Sequence, residues 1–285
     1  MSISIILPSK NEARSLDLLL PRIRQYLPDA EIIVVNDGST DDTEQVCEKH
    51  GVKVITHPYC IGNGGAIKSG ARAAGGDILV TMDADGQHDP ADINRLIELL
   101  DHGYDMAVGA RSSGSHASLG RLTANRIYDK LAGLMVGQDI KDLTSGFRAV
   151  RADKFREFLH LFPNGFSYPT TCTMAFFRAG YPVAYTPIDA QQRKGDSHIH
   201  PLRDGIRFLL IIFKVGTLYS PLKLFLPVSA LHFLTGVSYY LYTYITAGRF
   251  TNMSALLFTT AVVIFLIGLI SEQITSLLYS KTLDK

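Results

Sequence analysis

Asp83-Ala84-Asp85-Gly86-Gln87 directly follows the apolar run Ile78-Leu79-Val80-Thr81-Met82. Two carboxylates at alternating positions leaving a strand, with an amide oxygen two residues on, can converge on one hard divalent cation. Such a cation takes oxygen ligands and can hold a pyrophosphate at the same time, so Asp83, Asp85 and Gln87 suit Mg²⁺ or Mn²⁺. Asp-x-Asp equally suits a solvated turn that caps a helix beginning near Pro90. A second acidic turn, Asn36-Asp37-Gly38-Ser39-Thr40-Asp41, follows the run Glu31–Val35. A carboxylate held at Asp37 can accept from the N–H edge of a nucleobase, while Gly38 allows the turn and Ser39 or Asp41 can cap the next helix. Gly62, Gly64 and Gly65 open a helical stretch without making a dinucleotide fingerprint: position 67 is Ile, and the run follows the third strand instead of the first.

These turns need elements to hold them. Ser2–Leu7, Glu31–Val35, Val52–Thr56, Asp77–Met82 and Tyr104–Gly109 read as strands, with helical patterns near 13–26, 42–50, 65–75 and 90–101 between them. The alternation predicts an α/β fold with a mainly parallel sheet flanked by helices, whose ligands sit beyond the carboxyl ends of the strands. The residues to inspect there are Pro8 to Glu12, Asn36 to Thr40, His57 to Gly65, Asp83 to Gln87 and Arg111 onward. No internal repeat or low-complexity linker interrupts them.

Charge is spread unevenly. The formal net charge of the 285 residues is +1, with no concentrated basic surface, which argues against nucleic acid as a partner. Cys47, Cys60 and Cys172 are far apart and read as reduced packing residues of a cytosolic domain. Ile3 to Leu7 is too short for a signal peptide and has no basic region before it. From Leu224 to Gly248, and again from Phe250 to Ser271, no Asp, Glu, Lys or Arg occurs. Each run crosses about 30 Å of hydrocarbon at about 1.5 Å per helical residue. Lys214, Lys223, Lys281 and Lys285 lie outside this hairpin and Arg249 at its tip, an imbalance that predicts a cytoplasmic N-terminal domain and two cytoplasmic termini. Pro201 to Lys214 spaces Leu202, Ile206, Leu209, Leu210 and Phe213 for a helix lying in the membrane interface, or for a buried helix of the soluble domain.

Several ordered pieces together carry a family resemblance. They are Pro8-Ser9-Lys10-Asn11-Glu12, Val34-Val35-Asn36-Asp37-Gly38-Ser39, Gly62-Asn63-Gly64-Gly65-Ala66, Gly76-Asp77, Asp83-Ala84-Asp85-Gly86-Gln87-His88, Gly109-Ala110-Arg111 and Asp142-Leu143-Thr144-Ser145-Gly146-Phe147-Arg148. The set resembles family 2 glycosyltransferases of the GT-A fold, and within them the dolichyl-phosphate mannose synthase and bactoprenol-phosphate glucosyltransferase branch. The resemblance implies three parts: a cytoplasmic GT-A domain over 1–198, a juxtamembrane interfacial helix over 199–222 and a transmembrane hairpin over 223–285. It also implies a multi-pass protein of the cell membrane or an endomembrane. The transmembrane helices offer a surface through which copies could associate. Pro8, Lys10, Glu12, Val35 and Asp37 become the nucleoside side of the site. Asp83, Ala84, Asp85 and Gln87 become the metal and diphosphate side. Arg111 would face the donor phosphates or the lipid phosphate, and Arg121, with Arg126 beside it, the acceptor phosphate. The planar guanidinium fork binds two phosphate oxygens at once. Asp85, Arg111 and Arg121 are thereby the expected catalytic residues.

Two departures from the family pattern stand out. Lys10 occupies a position where relatives often carry Tyr. Near the membrane, Gln192-Arg193-Lys194-Gly195-Asp196-Ser197-His198 replaces Arg-x-x-Gly-x-Ser-Lys: Gln192 holds the arginine position, leaving Arg193 or Lys194 to substitute for it, and His198 stands at the position of the phosphate-binding lysine. The reaction implied is inverting transfer of a sugar from a UDP- or GDP-linked donor to a polyprenyl or dolichyl phosphate at the bilayer. A lipid phosphate is already anionic and attacks without a general base, which leaves positioning and electrostatics to the protein. Polymer-building members carry a Gln-x-x-Arg-Trp element, and this chain has no Trp. Transfer to a lipid hydroxyl would favour an Asp or Glu near Phe166 to Ala179, where there is none. A catalytically silent, membrane-tethered nucleotide-binding module is disfavoured by the presence of Asp83, Asp85, Gln87 and Arg111.

Overall fold

The computed structural model describes residues 1–111, 119–165, 167–189 and 216–283, with side chains over all of these except 119–125 and 279–283. Two compact units make up the chain, one holding the sheet and the other the two long C-terminal helices. In the first unit, β1 (Ile3–Ser9), β2 (Glu31–Asn36), β3 (Lys53–Thr56), β4 (Ile78–Thr81), β5 (Met106–Arg111), β6 (Arg148–Arg151) and β7 (Val183–Ile188) form a seven-stranded sheet in the order β3-β2-β1-β4-β6-β5-β7. The helices are α1 (Ala13–Tyr26), α2 (Thr43–Lys49), α3 (Asn63–Ala73), α4 (Asp92–Asp101), α5 (Leu119–Val136), α6 (Ala152–Glu157) and α7 (Tyr168–Arg178).

The strands and helices expected through residue 111 all form, with ends displaced by a few residues. β6 and β7 are additions, and β6 lies antiparallel between β4 and β5 while the other pairs run parallel. The apolar runs of β1, β2 and β4 are buried on both faces, as a sheet covered by helices requires. In α1, Leu16, Leu19, Leu20 and Ile23 share one face and are all buried; each contributes about 1.5–3 kcal/mol of transfer energy before the entropy of ordering.

Pro8 is tolerated near the end of a central strand for a readable reason. The Ile6 carbonyl accepts from Met82 N–H on the β4 side and that of Ser9 from Asp37 N–H on the β2 side. Pro8 has the parity of Ile6, so its missing N–H faces β4, whose pairing with β1 has ended at Ile6–Thr81.

The second unit contains α8 (Pro221–Ala247) and α9 (Asn252–Leu283), each long and apolar enough to cross a membrane. Within it Gly236 lets Leu257 and Phe258 approach, Gly268 lets Phe225 approach, and Ser229 Oγ donates to the Ala261 carbonyl at 2.8 Å. Close approach at small residues is how helices associate where lipid offers no hydrophobic drive. Glu272, the acidic residue that follows the second apolar run, accepts from the Leu222 N–H at the start of α8. The junction expected at 198–199 and nearly all of the interfacial helix expected over 199–222 lie outside the described residues.

Candidate functional site

Past the carboxyl ends of β1, β2 and β4 lies a cleft of about 500 Å³. The turn after β1 brings Pro8, Ser9, Lys10 and Glu12 to it, and the turn after β2 brings Asp37. The turn after β4 supplies Asp83, Ala84, Asp85 and Gln87. Cys60, Gly62, Asn63 and Ala66 come from the entry to α3, and Thr144, Gly146, Tyr168 and Pro169 close the far side.

The turns hold one another in register. Asn11, in the left-handed region at φ 56°, accepts the Thr40 N–H through Oδ1 at 2.8 Å, while its own N–H donates to Ser39 Oγ. Asp41 accepts from Ala13 N–H at 3.1 Å and Thr43 N–H at 3.2 Å, so one carboxylate satisfies donors at the starts of both α1 and α2. Burial alone would raise its pKa, but the Thr43 hydroxyl and these amides outweigh that and hold it below the ordinary carboxylate value.

On the β4 side, Asp85 Oδ1 accepts the Gln87 N–H at 3.1 Å across a turn made possible by Gly86 at φ 74°. Asp83 is partly exposed, with His88 Nε2 at 3.8 Å from Oδ2. His88 itself is buried and stacked on Phe147, ring centroids 4.9 Å apart. Among the described residues no group of three or more His, Cys, Asp and Glu could hold a metal ion. The oxygens this turn offers are those of two carboxylates and an amide, a set that would suit a cation completing its shell with phosphate oxygens and water better than one caged by protein. The missing side chain of Gly146 leaves one side of this carboxylate uncovered: a methyl built there would stand 3.4 Å from Asp83 Oδ2 and 3.5 Å from Oδ1. Ser9 Oγ and Asn63 Oδ1, both on cleft-lining residues, are buried without a hydrogen-bond partner among the described residues, which suits a polar occupant.

The far side is built around two arginines. Arg111 Nε and Nη2 meet Asp142 Oδ2 and Oδ1 at 2.8 and 2.9 Å, and Nη2 also donates to Thr144 Oγ1 at 2.6 Å. The Arg111 pair, against the cost of burial, holds the Asp142 carboxyl below its usual range. Arg148 is completely buried with no carboxylate partner among the described residues: its guanidinium donates to the carbonyls of Ser145 and Pro169 and to Thr173 Oγ1. It thereby ties the 145–146 wall to the start of α7. Gly146 O in turn accepts from Thr81 Oγ1 at 2.7 Å and Tyr168 OH at 3.4 Å.

Of the expected site residues, Pro8, Lys10, Glu12, Asp37, Asp83, Ala84, Asp85 and Gln87 meet at the cleft. Val35 does not: its side chain is buried in the sheet, and a Cβ on Gly70 of α3 would stand 3.3 Å from it. Arg111 is not among the residues lining the cleft; its fork is engaged by Asp142 and by Thr144, which does line it. Arg126 is exposed and lines a separate depression of about 440 Å³ with Asp129, Lys130 and Lys141. Arg121 lies on α5 with its side chain outside the description, and Arg193 and His198 are wholly outside it. Cys47 and Cys172 are buried as expected, but Cys60 is exposed at the cleft, where its thiol donates to Asp37. Sequence reasoning gave no site role to Ser9, Asn63, Thr144, Gly146 or Tyr168. All but Tyr168 stood inside quoted motifs, which was the available signal.

Residues 4–159 match glycosyl transferase family 2, and residues 220–277 match the GtrB C-terminal hairpin. The chain is 31% identical over 208 residues to the undecaprenyl-phosphate mannosyltransferase of Micrococcus luteus, covering 68% of this chain and 85% of that one. It is 37% identical over 182 residues to the dolichol-phosphate mannosyltransferase of Pyrococcus furiosus, covering 58% of this chain and half of that longer protein. Among solved structures, the glucosyl-3-phosphoglycerate synthase of Mycobacterium tuberculosis in complex with Mn²⁺ and UDP-glucose superposes with a TM-score of 0.61 at 21% identity, over 75% of this chain and 78% of that one. At that identity the likeness speaks for the fold.

Proposed function

The chain belongs to glycosyl transferase family 2, and on that premise we propose that it transfers a sugar, with inversion, from a nucleotide diphosphate sugar to a polyprenyl phosphate at a membrane. The observation that carries this reading is the cleft itself: Asp83, Asp85 and Gln87 meet the β1 and β2 turns in a chain that also matches the GtrB C-terminal hairpin and carries two helices long and apolar enough to cross a membrane. The names of the mannosyltransferase relatives support a polyprenyl phosphate acceptor. The structural neighbour with Mn²⁺ and UDP-glucose supports a cation-held nucleotide donor.

Asp83, Asp85 and Gln87 would hold Mg²⁺ or Mn²⁺, which when bound offsets the charge of the departing nucleotide diphosphate. Lys10 adds a positive charge at the mouth. Arg121, on α5, is the proposed ligand of the acceptor phosphate, with Arg126 as the alternative. Arg193 and His198 are proposed for the donor phosphates. Arg111 acts on the site through Asp142 and Thr144, fixing the wall in which Gly146 sits. The cleft-lining residues of α7, Tyr168 and Pro169, contribute no carboxylate, which favours an acceptor that arrives already ionised over a lipid hydroxyl. We place the catalytic domain and both termini in the cytoplasm, with boundaries at 1–198, 199–222 and 223–285.

Asp85→Ala is expected to abolish transfer, by at least about a hundredfold, with thermal unfolding unchanged, and EDTA to silence the wild type until Mg²⁺ or Mn²⁺ is restored. Full activity in EDTA would exclude the metal.

A further inference from the structure

Resting on the reading of the cleft as a nucleotide-sugar site, we infer that Arg148 is a positioning residue for the reaction: its buried guanidinium clamps the 145–146 wall to the start of α7, and the clamp sets the space beside Asp83 in which the donor diphosphate is held. β6 places Arg148 inside the sheet, in register with Thr81 of β4 and Val108 of β5. The residue is wholly buried, and no carboxylate meets it among the described residues. A buried cation without a counter-charge is costly, and an apolar side chain would stabilise the sheet more. What the guanidinium adds is a link between two segments far apart in the chain. Nη2 donates to the Ser145 carbonyl, and Nη1 to the Pro169 carbonyl at 3.1 Å and to Thr173 Oγ1 at 3.3 Å. Thr173 Oγ1 in turn donates to the same Pro169 carbonyl at 3.0 Å, so one hydroxyl, accepting and donating, locks the arginine to the first turns of α7. The orientation that reaches both segments leaves Nε buried without a hydrogen-bond partner among the described residues. A planar fork can bridge in this way, whereas an ammonium on a flexible stem is a poorer clamp.

Both clamped segments line the cleft: Gly146 follows Ser145 directly, and Tyr168 and Pro169 open α7. The Gly146 carbonyl accepts from Thr81 Oγ1 and from Tyr168 OH, which ties the same wall to β4 as well. A methyl on Gly146 would stand within 3.5 Å of both Asp83 oxygens and of the Tyr168 hydroxyl. The wall therefore stops about one carbon short of the carboxylate, and its position decides how much room lies beside Asp83. Misplacing reacting groups by about 1 Å can cost about a hundredfold. Arg148 is not itself among the lining residues; it acts through Gly146 and Tyr168.

The test measures binding of UDP and of GDP, with Mg²⁺ or Mn²⁺, to the full chain in detergent, alongside thermal unfolding. Arg148→Met is expected to weaken both nucleotides by about tenfold or more and in the same ratio, because the diphosphate is common to them. Thr173→Val keeps the shape of a side chain outside the cleft lining and removes one acceptor of the clamp. It is expected to weaken both nucleotides by about threefold or more, and it carries the test should Arg148→Met fail to fold. Combining Thr173→Val with Gly146→Ala should cost less than the product of the two single losses, since both act on one wall. Ile23→Val, on the buried face of α1, lowers the unfolding temperature without touching the clamp and is expected to leave nucleotide binding unchanged. The inference is overturned if Thr173→Val binds both nucleotides as tightly as wild type, if its loss and that of Gly146→Ala multiply independently, or if Ile23→Val weakens binding as much. Failure of the wild type to bind either nucleotide would instead strike the reading of the cleft, and the inference with it.

Discussion

At Gly146 a single methyl group is enough to touch the chemistry. It would fit without backbone strain, yet it would fill the space beside both Asp83 oxygens and 3.5 Å from the Tyr168 hydroxyl. Gly146→Ala is therefore expected to fold normally and to weaken the nucleotide donor by about tenfold or more, measured as an apparent donor constant at saturating acceptor. Unchanged donor dependence would mean that the space beside Asp83 is not used. Asp129 makes a different prediction. Burial, helped by the nearby Asp142 charge, raises its pKa from 3.8 to about 6 against the opposing Leu143 amide and Arg111. The folded protein then binds more protons than the unfolded chain between those values, so stability falls as pH rises through that window. Asp129→Asn is expected to flatten this slope and gain about 1–2 kcal/mol relative to wild type at pH 7, after allowance for partial exposure, and to lose the advantage near pH 4; thermal unfolding across pH measures it. At this scale the sequence was most legible where a residue's role depends on its neighbours in the chain. Asp83, Asp85 and Gln87 reach the cleft because one turn carries all three. The pairing of Arg111 with Asp142 was not legible, because Asp142 is supplied by a distant segment that no spacing rule connects to it. Cys60 was misread for the same reason, since only the folded loop brings its thiol to Asp37.

Elements were legible in proportion to their apolar pattern. β1, β2 and β4 are continuous apolar runs bounded by turn residues, and their ends fall close to where the pattern stops. β6 reads Arg-Ala-Val-Arg, too short and too charged to announce a buried strand, yet Arg148 is fully enclosed because carbonyls and a hydroxyl satisfy its guanidinium. β7 contains Pro187 and, among the described residues, pairs only with β5, at the edge of the sheet, where a proline is tolerated. α8 and α9 follow directly from two stretches without charge. For these helices the prediction is topological: a tag after Lys285 should be reachable from the same side as the N-terminal domain, and the turn at Arg249 only from the other side. Labelling of introduced cysteines in sealed vesicles measures this, and opposite sidedness of the two termini would refute the hairpin.

The molecule as a whole joins a nucleotide-type cleft to a membrane hairpin, and that conjunction selects the acceptor. A family 2 sheet alone is compatible with many acceptors. A lipid phosphate explains why a cleft without a carboxylate on its α7 wall is still equipped for transfer, since the attacking oxygen is already charged. The account stands or falls on the identity of the product. Membranes carrying the full chain, incubated with labelled UDP- and GDP-sugars and a polyprenyl phosphate in Mg²⁺ or Mn²⁺, should yield a label extracted with the lipid as a single sugar joined through one phosphate. That product should be formed only when the polyprenyl phosphate is supplied. Label appearing on a lipid hydroxyl, or transfer that proceeds equally well without the lipid phosphate, would contradict it.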